Sequence, residues 1–364
     1  MVAISHCIRP PSFTGGFELP LITTPNIFRI THPMDFFTRA QTNLLSWIHG
    51  TPLPSAAHTS PKFQSWHTFD PVQKWIPTAS DANKNDPAEP NRVNDTSDLV
   101  LLTWNIDATS PQTEERVTDI ITFITALDPR VDILFLQEVS RPALQQILTD
   151  NRIRESWFSS ERDDAAWGKQ SFATMTLLSK ARFASAHNQG VRLAAIGPIW
   201  RVKFPSHFAR DALCCDSFVP SHREPATSPT TRIRLANVHL DSLPIKPSYR
   251  PQQISMVSSF LRATGQGLVA GDFNPVLEED VDLLERNGLV DVWTSLHPGE
   301  PGYTWGLDGQ QPFPPNRLDK VGILGLRSRN IKALEPKRVA GQSGDLPLWS
   351  DHHALVYSFS LADE

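Results

Sequence analysis

The chain has 364 residues, 40% hydrophobic and 20% charged, which suits one large globular domain with an extension or two modest domains. Its formal net charge of −5 argues against a protein that coats nucleic acid over a broad surface, although a local basic groove remains compatible with it. Three cysteines are too few for a disulfide framework, no signal peptide is evident and no apolar run approaches the roughly 18 residues of a membrane helix, so we expect a nuclear or cytoplasmic protein.

The chain begins with a Pro-rich N-terminal extension, residues 1–97, which we predict to be partly ordered at best. One amphipathic helix is predicted over residues 34–48. The polar stretch 78–97 has no periodicity and is interpreted as a linker or exposed loop. Scattered tryptophans leave open whether residues 63–76 pack on the main domain, because disordered chains are poor in aromatic residues.

Residues 98–364 have the patterns of one catalytic domain. Apolar runs predict strands at 99–103, 131–136, 173–178, 199–204, 212–219, 233–238, 267–270, 318–324 and 354–360. Helices are predicted at 114–127, 142–148 and 251–263. Several strands follow each other without a helix between them, which favours a mixed α/β protein with mostly antiparallel sheets and helices outside. The loops 220–231 and 298–315 are long and rich in Pro and Gly, as binding loops often are.

Polar side chains follow the first two predicted strands at the point where each strand ends. Asn105 and Asp107 come after VLLTW and share one face of an extended chain, and Glu138 comes after ILFLQ. Magnesium prefers few carboxylates and keeps several waters, so Glu138 with Asp107 would meet its needs. An amide at Asn105 can polarise a phosphate oxygen, although N-x-D alone is also a turn signal.

The motif GDFN repeats this arrangement after the predicted strand at 267–270. Asp272 and Asn274 share a face, and Gly271 lets the backbone turn closely. An Asp that is hydrogen-bonded to a neighbouring Asn can orient and deprotonate a water molecule. In isolation, the same four residues would predict a β-turn.

Two histidines are placed to serve a phosphate. His239 ends the apolar run RIRLANVH, and His352 lies just before the run ALVYSF. A protonated imidazole can donate to a non-bridging oxygen as charge develops, and a carboxylate partner keeps it charged and oriented. Asp319 is the predicted partner of His352. A lone histidine near a strand end is more often structural, and His353 is interpreted in that way.

The order N-x-D, Q-E, H-x-x-S, G-D-x-N, R-x-D and S-D-H resembles the endonuclease/exonuclease/phosphatase superfamily over residues 99–361. The resemblance implies a four-layered α/β sandwich, with two mixed β-sheets face to face and helices on both outer faces. Within that superfamily, TWNID, H-L-x-S and the YTW of residues 303–305 most resemble the 5′-tyrosyl-DNA phosphodiesterases. Those enzymes cleave the bond between a topoisomerase tyrosine and a 5′-phosphate of DNA.

The resemblance implies that Asp272 activates water, that the amides orient the phosphate, and that the two histidines stabilise the transition state. The predicted catalytic residues are Asp272, Asn274, His239, His352, Asn105 and Asp319. The predicted ligands of Mg²⁺, or of Mn²⁺ as a substitute, are Glu138, Asp107 and Asp351. The predicted substrate-binding residues are Trp305, Ser242 and Arg210, of which Trp305 matches an aromatic near the 5′ nucleotide.

Two departures from the tyrosyl-DNA enzymes concern their grip on DNA. Their basic residue shortly after G-D-x-N is missing here, where Pro275 leads into the acids 278–280, and their Thr-Arg after H-L-E-S is replaced by Leu243 and Pro244. We therefore predict a Mg²⁺-dependent phosphoesterase whose substrate is the 5′ end of DNA or, as the alternative, a small-molecule or lipid phosphoester. A non-enzymatic binding module is disfavoured because each core position is filled. The oligomeric state is left open.

Overall fold

The computed structural model describes residues 46, 50–54, 60–78, 98–185, 193–220, 230–340 and 346–362. The helix predicted over 34–48 and the linker predicted over 78–97 fall almost wholly outside these residues, as does most of the loop 220–231.

Sixteen strands and six α-helices are assigned in the described residues. The strands are β1 (Lys62–Gln64), β2 (His67–Asp70), β3 (Lys74–Pro77), β4 (Leu99–Asn105), β5 (Ile133–Ser140), β6 (Trp157–Ser159), β7 (Phe172–Ser179), β8 (Phe183–Ala184), β9 (Ala194–Lys203), β10 (Asp211–Pro220), β11 (Thr230–His239), β12 (Gly267–Asp272), β13 (Val290–Asp291), β14 (Asp319–Leu324), β15 (Leu326–Leu334) and β16 (Ala354–Leu361). The helices are α1 (Thr113–Thr125), α2 (Arg141–Thr149), α3 (Asn151–Ser156), α4 (Arg250–Thr264), α5 (Leu283–Arg286) and α6 (Val292–Leu296).

The strands form two mixed, eight-stranded sheets. One sheet has the order β1-β9-β10-β11-β12-β14-β13, with β8 beside β9, and the other has the order β15-β16-β4-β5-β7-β6-β2-β3. One buried cluster joins side chains of both sheets, including Leu101 and Leu268, so it lies between them. A second cluster joins Leu102 with α1 and α2, and a third joins Val269 with α4. The α/β sandwich of two mixed sheets flanked by helices is therefore confirmed.

Short strands from the N-terminal segment complete both sheets. β1 pairs with β9 in one sheet, while β2 pairs with β6 and β3 in the other. Trp66 is buried in the core between the sheets, and its indole N–H donates to Gly197 O at 3.0 Å. Residues 62–77 thus pack on the main domain. The two sheets therefore include strands that precede the predicted boundary at residue 97.

Most strands were predicted, and those that were missed are two to four residues long, apart from the edge strand β15. The edge strand β15 was missed because its exposed, charged positions break the apolar run. Among the described residues, no helix is long and apolar enough to cross a membrane.

Two pairs of parallel strands bring the polar motifs together. β4 runs parallel to β5, with Asn105 opposite Gln137, and β11 runs parallel to β12, with His239 opposite Asp272. β14 then pairs antiparallel with β12, which places Asp319 opposite Asp272. Since the ends of parallel strands meet at one edge of a sheet, each sheet delivers its motifs to the same end of the sandwich.

Candidate active site

Buried amides join the two sheets below the polar cluster. Gln137 Nε2 on β5 donates to Asn237 Oδ1 on β11 at 2.8 Å, and Asn105 Nδ2 on β4 donates to Asp272 Oδ2 on β12 at 3.1 Å. All four side chains are almost fully buried. Asn105 Nδ2 also lies 3.3 Å from Glu138 Oε1, so this one amide links two predicted acids.

Asp272 lies at the centre of the cluster. Its Oδ2 is 3.4 Å from His239 Nε2 and 3.9 Å from His352 Nε2, while its Oδ1 accepts a hydrogen bond from Asn274 N at 3.0 Å. Burial, with a smaller contribution from Asp319, raises the pKa of Asp272 to about 7, against the opposing effects of His352 and Asn105. A carboxylate with such a pKa can take up and release a proton near neutrality.

His352 and Asp319 form the pair expected from the sequence. His352 Nδ1 lies 2.8 Å from Asp319 Oδ2, and Thr304 Oγ1 holds the Asp319 backbone by accepting from its N–H at 3.0 Å. Burial disfavours the charged imidazole, but the nearby carboxylates, Asp319 first, outweigh it and raise the pKa of His352 well above its ordinary value. Asp319 therefore favours the imidazolium form of His352 and fixes the orientation of its ring.

His239 differs from the charged form considered in the sequence analysis. Its ring stacks on Phe172 at a centroid distance of 5.9 Å, and burial first, then Arg210 and His352, lower its pKa well below the ordinary value. The neutral ring can still donate from Nε2 in one tautomer. This buried Nε2 has no hydrogen-bond partner among the described residues, so it is free to meet a substrate oxygen.

The predicted substrate-binding residues Arg210 and Ser242 are in contact with each other. Arg210 Nη2 donates to Ser242 Oγ at 3.0 Å, and the guanidinium lies over the ring of Phe172 at 4.9 Å. Asn274 Nδ2 lies 3.5 Å from the same Ser242 oxygen. Burial lowers the pKa of Arg210, whereas Glu138 and other acids nearby raise it, and an arginine remains cationic under these conditions.

The three predicted metal ligands do not converge. The Glu138 side chain is 19% accessible, whereas Asp107 accepts from the N–H and Oγ of Thr109, each at 2.8 Å, and from Ser110. Burial would raise the pKa of Asp107, but these bonds outweigh it and lower that pKa. Asp351 Oδ2 accepts from Trp305 Nε1 at 2.9 Å. In the described part of the chain, no three or more His, Cys, Asp or Glu side chains could together hold a metal ion.

Glu138 nevertheless fits a hard cation that keeps most of its water. Its Oε2 accepts from Ala108 N at 3.0 Å and its Oε1 from Asn105, which fixes the carboxylate, and the side chain as a whole is partly accessible. Magnesium is often bound through one or two carboxylates with several waters retained. The residues therefore suit a water-rich ion at Glu138 better than a cage of three acids.

Backbone strain accompanies the site. Five of the non-glycine residues with positive φ lie at the site, with Glu138 in β5 and the others on loops: Asp107, Ala209, Leu243 and Asn274. Such conformations are costly for residues with a side chain and persist only where the surroundings impose them. At Glu138 this conformation coincides with a shift in the pairing of β5 with β7, after which β5 continues to Ser140, whereas Asn274 lies two residues beyond the end of β12.

Arg116 was missed by the sequence analysis. It is fully buried, and its five N–H groups donate to the carbonyls of Ile106, Asp107, Ser110, Pro111 and Trp349 at 2.6–3.1 Å. The first four belong to the loop after β4 and the last to the segment before His352, so Arg116 ties two site loops together. Its signal in the sequence is a charged residue at the start of the apolar stripe of α1.

A family model with the description Endonuclease/Exonuclease/phosphatase family matches residues 102–363. The chain belongs to this family. Members hydrolyse phosphate esters, so this chain is a phosphoric ester hydrolase, as predicted. Among curated proteins, none matches the sequence.

Solved structures share the fold at low identity. TDP2 of D. rerio in complex with a single-strand DNA product has a TM-score of 0.54 at 19% identity, covering 72% of this chain and 99% of that one. Truncated TDP2 of Caenorhabditis elegans has 0.54 at 20%, covering 73% and 98%. A mannosyl-6-phosphatase of Bacteroides thetaiotaomicron has 0.50 at 14%, covering 72% and 100%. The TDP2 structures therefore have the same fold as this chain.

Proposed function

We propose that the protein is a Mg²⁺-dependent phosphodiesterase that acts at 5′ ends of DNA, in the manner of the tyrosyl-DNA phosphodiesterases. The observation that carries the proposal is the position of Asp272. It is a buried carboxylate with a pKa of about 7, held by Asn105 and the Asn274 backbone, with His239 and His352 within 4 Å.

In the proposed reaction, a water molecule attacks phosphorus in line with the leaving oxygen. Asp272 takes the proton of that water, the new P–O bond forms, and the ester P–O bond on the opposite side breaks. The imidazolium of His352, held by Asp319, donates to a non-bridging oxygen, and His239 donates to another from its neutral Nε2. These donors act where negative charge develops, in a buried setting that strengthens them.

Arg210 and Ser242 would bind the phosphate beside this machinery. The guanidinium is buried and has an Nε without a hydrogen-bond partner in the described residues, so an anion can satisfy it. A magnesium ion at Glu138, or Mn²⁺ in its place, would neutralise phosphate charge and stabilise the leaving oxygen. Asp107 and Asp351, whose carboxylates already accept protein hydrogen bonds, would contribute through bound water.

The loops around the site support a chain end rather than a long duplex as substrate. Tyr303, Leu307 and Phe313 are exposed on the loop that carries Trp305, and Leu243 and Ile245 are exposed just after Ser242. Apolar and aromatic groups can stack on bases but neutralise no phosphates. An enzyme of DNA ends would act in DNA repair, in the nucleus or cytoplasm.

The residues of these loops also favour a second substrate class, the small-molecule or lipid phosphoesters. Leu243 and Pro244 stand where the tyrosyl-DNA pattern has Thr-Arg, and the exposed acids Glu278 and Glu279 follow Asn274 where a basic residue was expected. A small-molecule or lipid phosphoester would need no basic groove.

One assay separates the two substrates. Purified protein is incubated with 5′-tyrosyl, abasic and plain DNA, with a nitrophenyl phosphodiester and with small phosphomonoesters, each with Mg²⁺, Mn²⁺ or chelator. The proposal predicts metal-dependent turnover that is fastest on the 5′-tyrosyl substrate. Faster turnover of the small phosphoesters would support the second class, and turnover that survives the chelator would contradict the role of the metal.

A further inference from the structure

A short turn carries Arg210 to the site. Residues 204–210 join β9 to β10, and within them Ser206 Oγ accepts from Phe208 N at 2.9 Å and from Arg210 N at 3.0 Å. A serine that bonds to the backbone just ahead of it fixes a turn locally. Ala209, directly before Arg210, has a φ of 58°, a conformation that needs such support. Ser206 therefore fixes the backbone position of Arg210.

Asp241 fixes this turn to the strand end that carries His239. Its buried carboxylate accepts from Ser206 Oγ and, at 2.8 Å, from His207 N. It also accepts from Gln253 Nε2 at 3.0 Å, and the same amide donates to Pro205 O at 2.8 Å. Asp241 lies two residues after His239 and next to Ser242, so its carboxylate anchors the turn of Arg210 to the segment that carries both residues.

The far end of Arg210 depends on this placement. Its guanidinium donates to Ser242 and lies over Phe172, while Gln170 Nε2 donates to Ala209 O at 2.6 Å. Its buried Nε has no hydrogen-bond partner within the described residues. A small displacement of the turn would therefore move Arg210 Nε, a donor for which the substrate anion is the expected partner.

We propose that Ser206 and Asp241 are positioning residues for Arg210, and that they affect phosphate binding only through its guanidinium. The inference rests on the proposed function, in which Arg210 binds the substrate phosphate. Neither Ser206 nor Asp241 needs to touch the substrate, because Ser206 bonds within the turn and to Asp241, while the Asp241 carboxylate bonds to the turn and to Gln253.

A double-mutant cycle tests the proposal on the full chain. The probe is inorganic phosphate with Mg²⁺, and its affinity is measured by calorimetry for wild type, Ser206→Ala, Arg210→Ala and the double variant. Ser206→Ala should weaken phosphate binding by about 3- to 10-fold, the usual effect of one lost hydrogen bond. In the Arg210→Ala background, the same change should cost less than about 2-fold, because coupled residues are not additive.

Controls separate positioning from a loss of folding. Ser259→Ala makes the same chemical change on α4, where Ser259 Oγ bonds to Met256 O of its own helix, and it should leave phosphate affinity unchanged. Asp241→Asn, which places a donor against the turn, should repeat the dependence on Arg210, with melting temperatures recorded for every variant.

Equal losses in both backgrounds would overturn the inference, as would wild-type phosphate affinity in Arg210→Ala. Failure of the proposed function would appear differently: wild type would bind phosphate, the cycle would keep its coupling, and no phosphodiester would be hydrolysed.

Discussion

At the scale of single residues, the site depends on acids in different environments. Asp272 is buried between two histidines, whereas the carboxylate of Glu138 is partly accessible and held by Asn105 and Ala108. The first environment raises a pKa toward neutrality, which suits a base. The second leaves the acid fixed and its side chain partly accessible, which suits a hydrated cation.

Glu138→Gln tests the metal site. The amide keeps the size of the side chain but loses the negative oxygen that a hard cation prefers. Activity should fall by orders of magnitude while the melting temperature changes little, measured by initial rates over a range of Mg²⁺ concentrations. Glu114→Gln on the exposed start of α1 is a matched control that should behave as wild type. Near wild-type turnover in Glu138→Gln would remove Glu138 from the metal site.

The raised pKa of Asp272 also predicts how stability depends on pH. The folded protein holds the Asp272 proton up to about pH 7, whereas the ordinary pKa of this group is 3.8. Because the folded state binds more protons in this window, the contribution of Asp272 to the unfolding free energy falls as pH rises from about 4 to 7.

Asp272→Asn removes the unfavourable free energy of ionising a buried carboxylate, because an amide does not titrate. The variant should therefore gain more stability over wild type at pH 8 than at pH 5, as measured by chemical denaturation at both values. A gain that is equal at the two pH values would show that Asp272 does not titrate in this window.

At the scale of elements, buried amides hold the two sheets in register at the site. Asn237 on β11 accepts from Gln137 on β5 and donates to Met175 O on β7 at 2.9 Å. Asn237→Ala would leave these partners buried without hydrogen bonds and should lower the unfolding free energy by about 2–4 kcal/mol. Asn151→Ala, on the exposed first residue of α3, is the control and should change it by less than about 0.5 kcal/mol. Equal losses in the two variants would contradict the bridging role.

The sequence predicted elements best where they are buried on both faces. β4 and β12 are continuous apolar runs that end in a polar motif, so their ends could be placed without a structure. The strands β1 to β3 are too short for such a run, and charged, exposed positions interrupt the edge strand β15. Their pairing depends on distant partners, which local patterns do not encode.

The site could be predicted only in part, because some of its contacts depend on how distant segments and loops come together. The contact of Asp319 with His352 could be anticipated, since an imidazolium needs a carboxylate. The bonds of Asp107 to Thr109 and Ser110, and of Asp351 to Trp305, could not, because they depend on how each loop turns. The neutral state of His239 depends on burial and on Arg210, which only the assembled fold shows.

At the scale of the whole molecule, charge limits how the protein can hold DNA. The net charge is −5, and exposed groups on the loops near Ser242 and Trp305 include several apolar side chains. If DNA is the substrate, we expect contacts with roughly two to four phosphates, and each neutralised phosphate contributes about 0.7–0.9 to the slope of log affinity against log salt. The slope should therefore be shallow.

Binding of a single strand with a free 5′ end to Asp272→Asn protein, measured from low to moderate salt, checks this expectation. A slope of about six or more would reveal an extended basic groove. No binding at low salt would favour the small-phosphoester alternative.

The most direct test of the account is the turnover of Asp272→Asn on the best substrate. Asn keeps the size of the side chain but cannot accept the proton of water, so the rate of the chemical step should fall by about 10²- to 10⁴-fold. Substrate affinity should remain close to wild type, because the predicted phosphate contacts come from Arg210, Ser242 and the two histidines. Single-turnover rates and substrate affinity are measured on the same preparation. A variant that loses substrate binding but turns over bound substrate at the wild-type rate would contradict the account, since Asp272 would then be a binding residue and not the base.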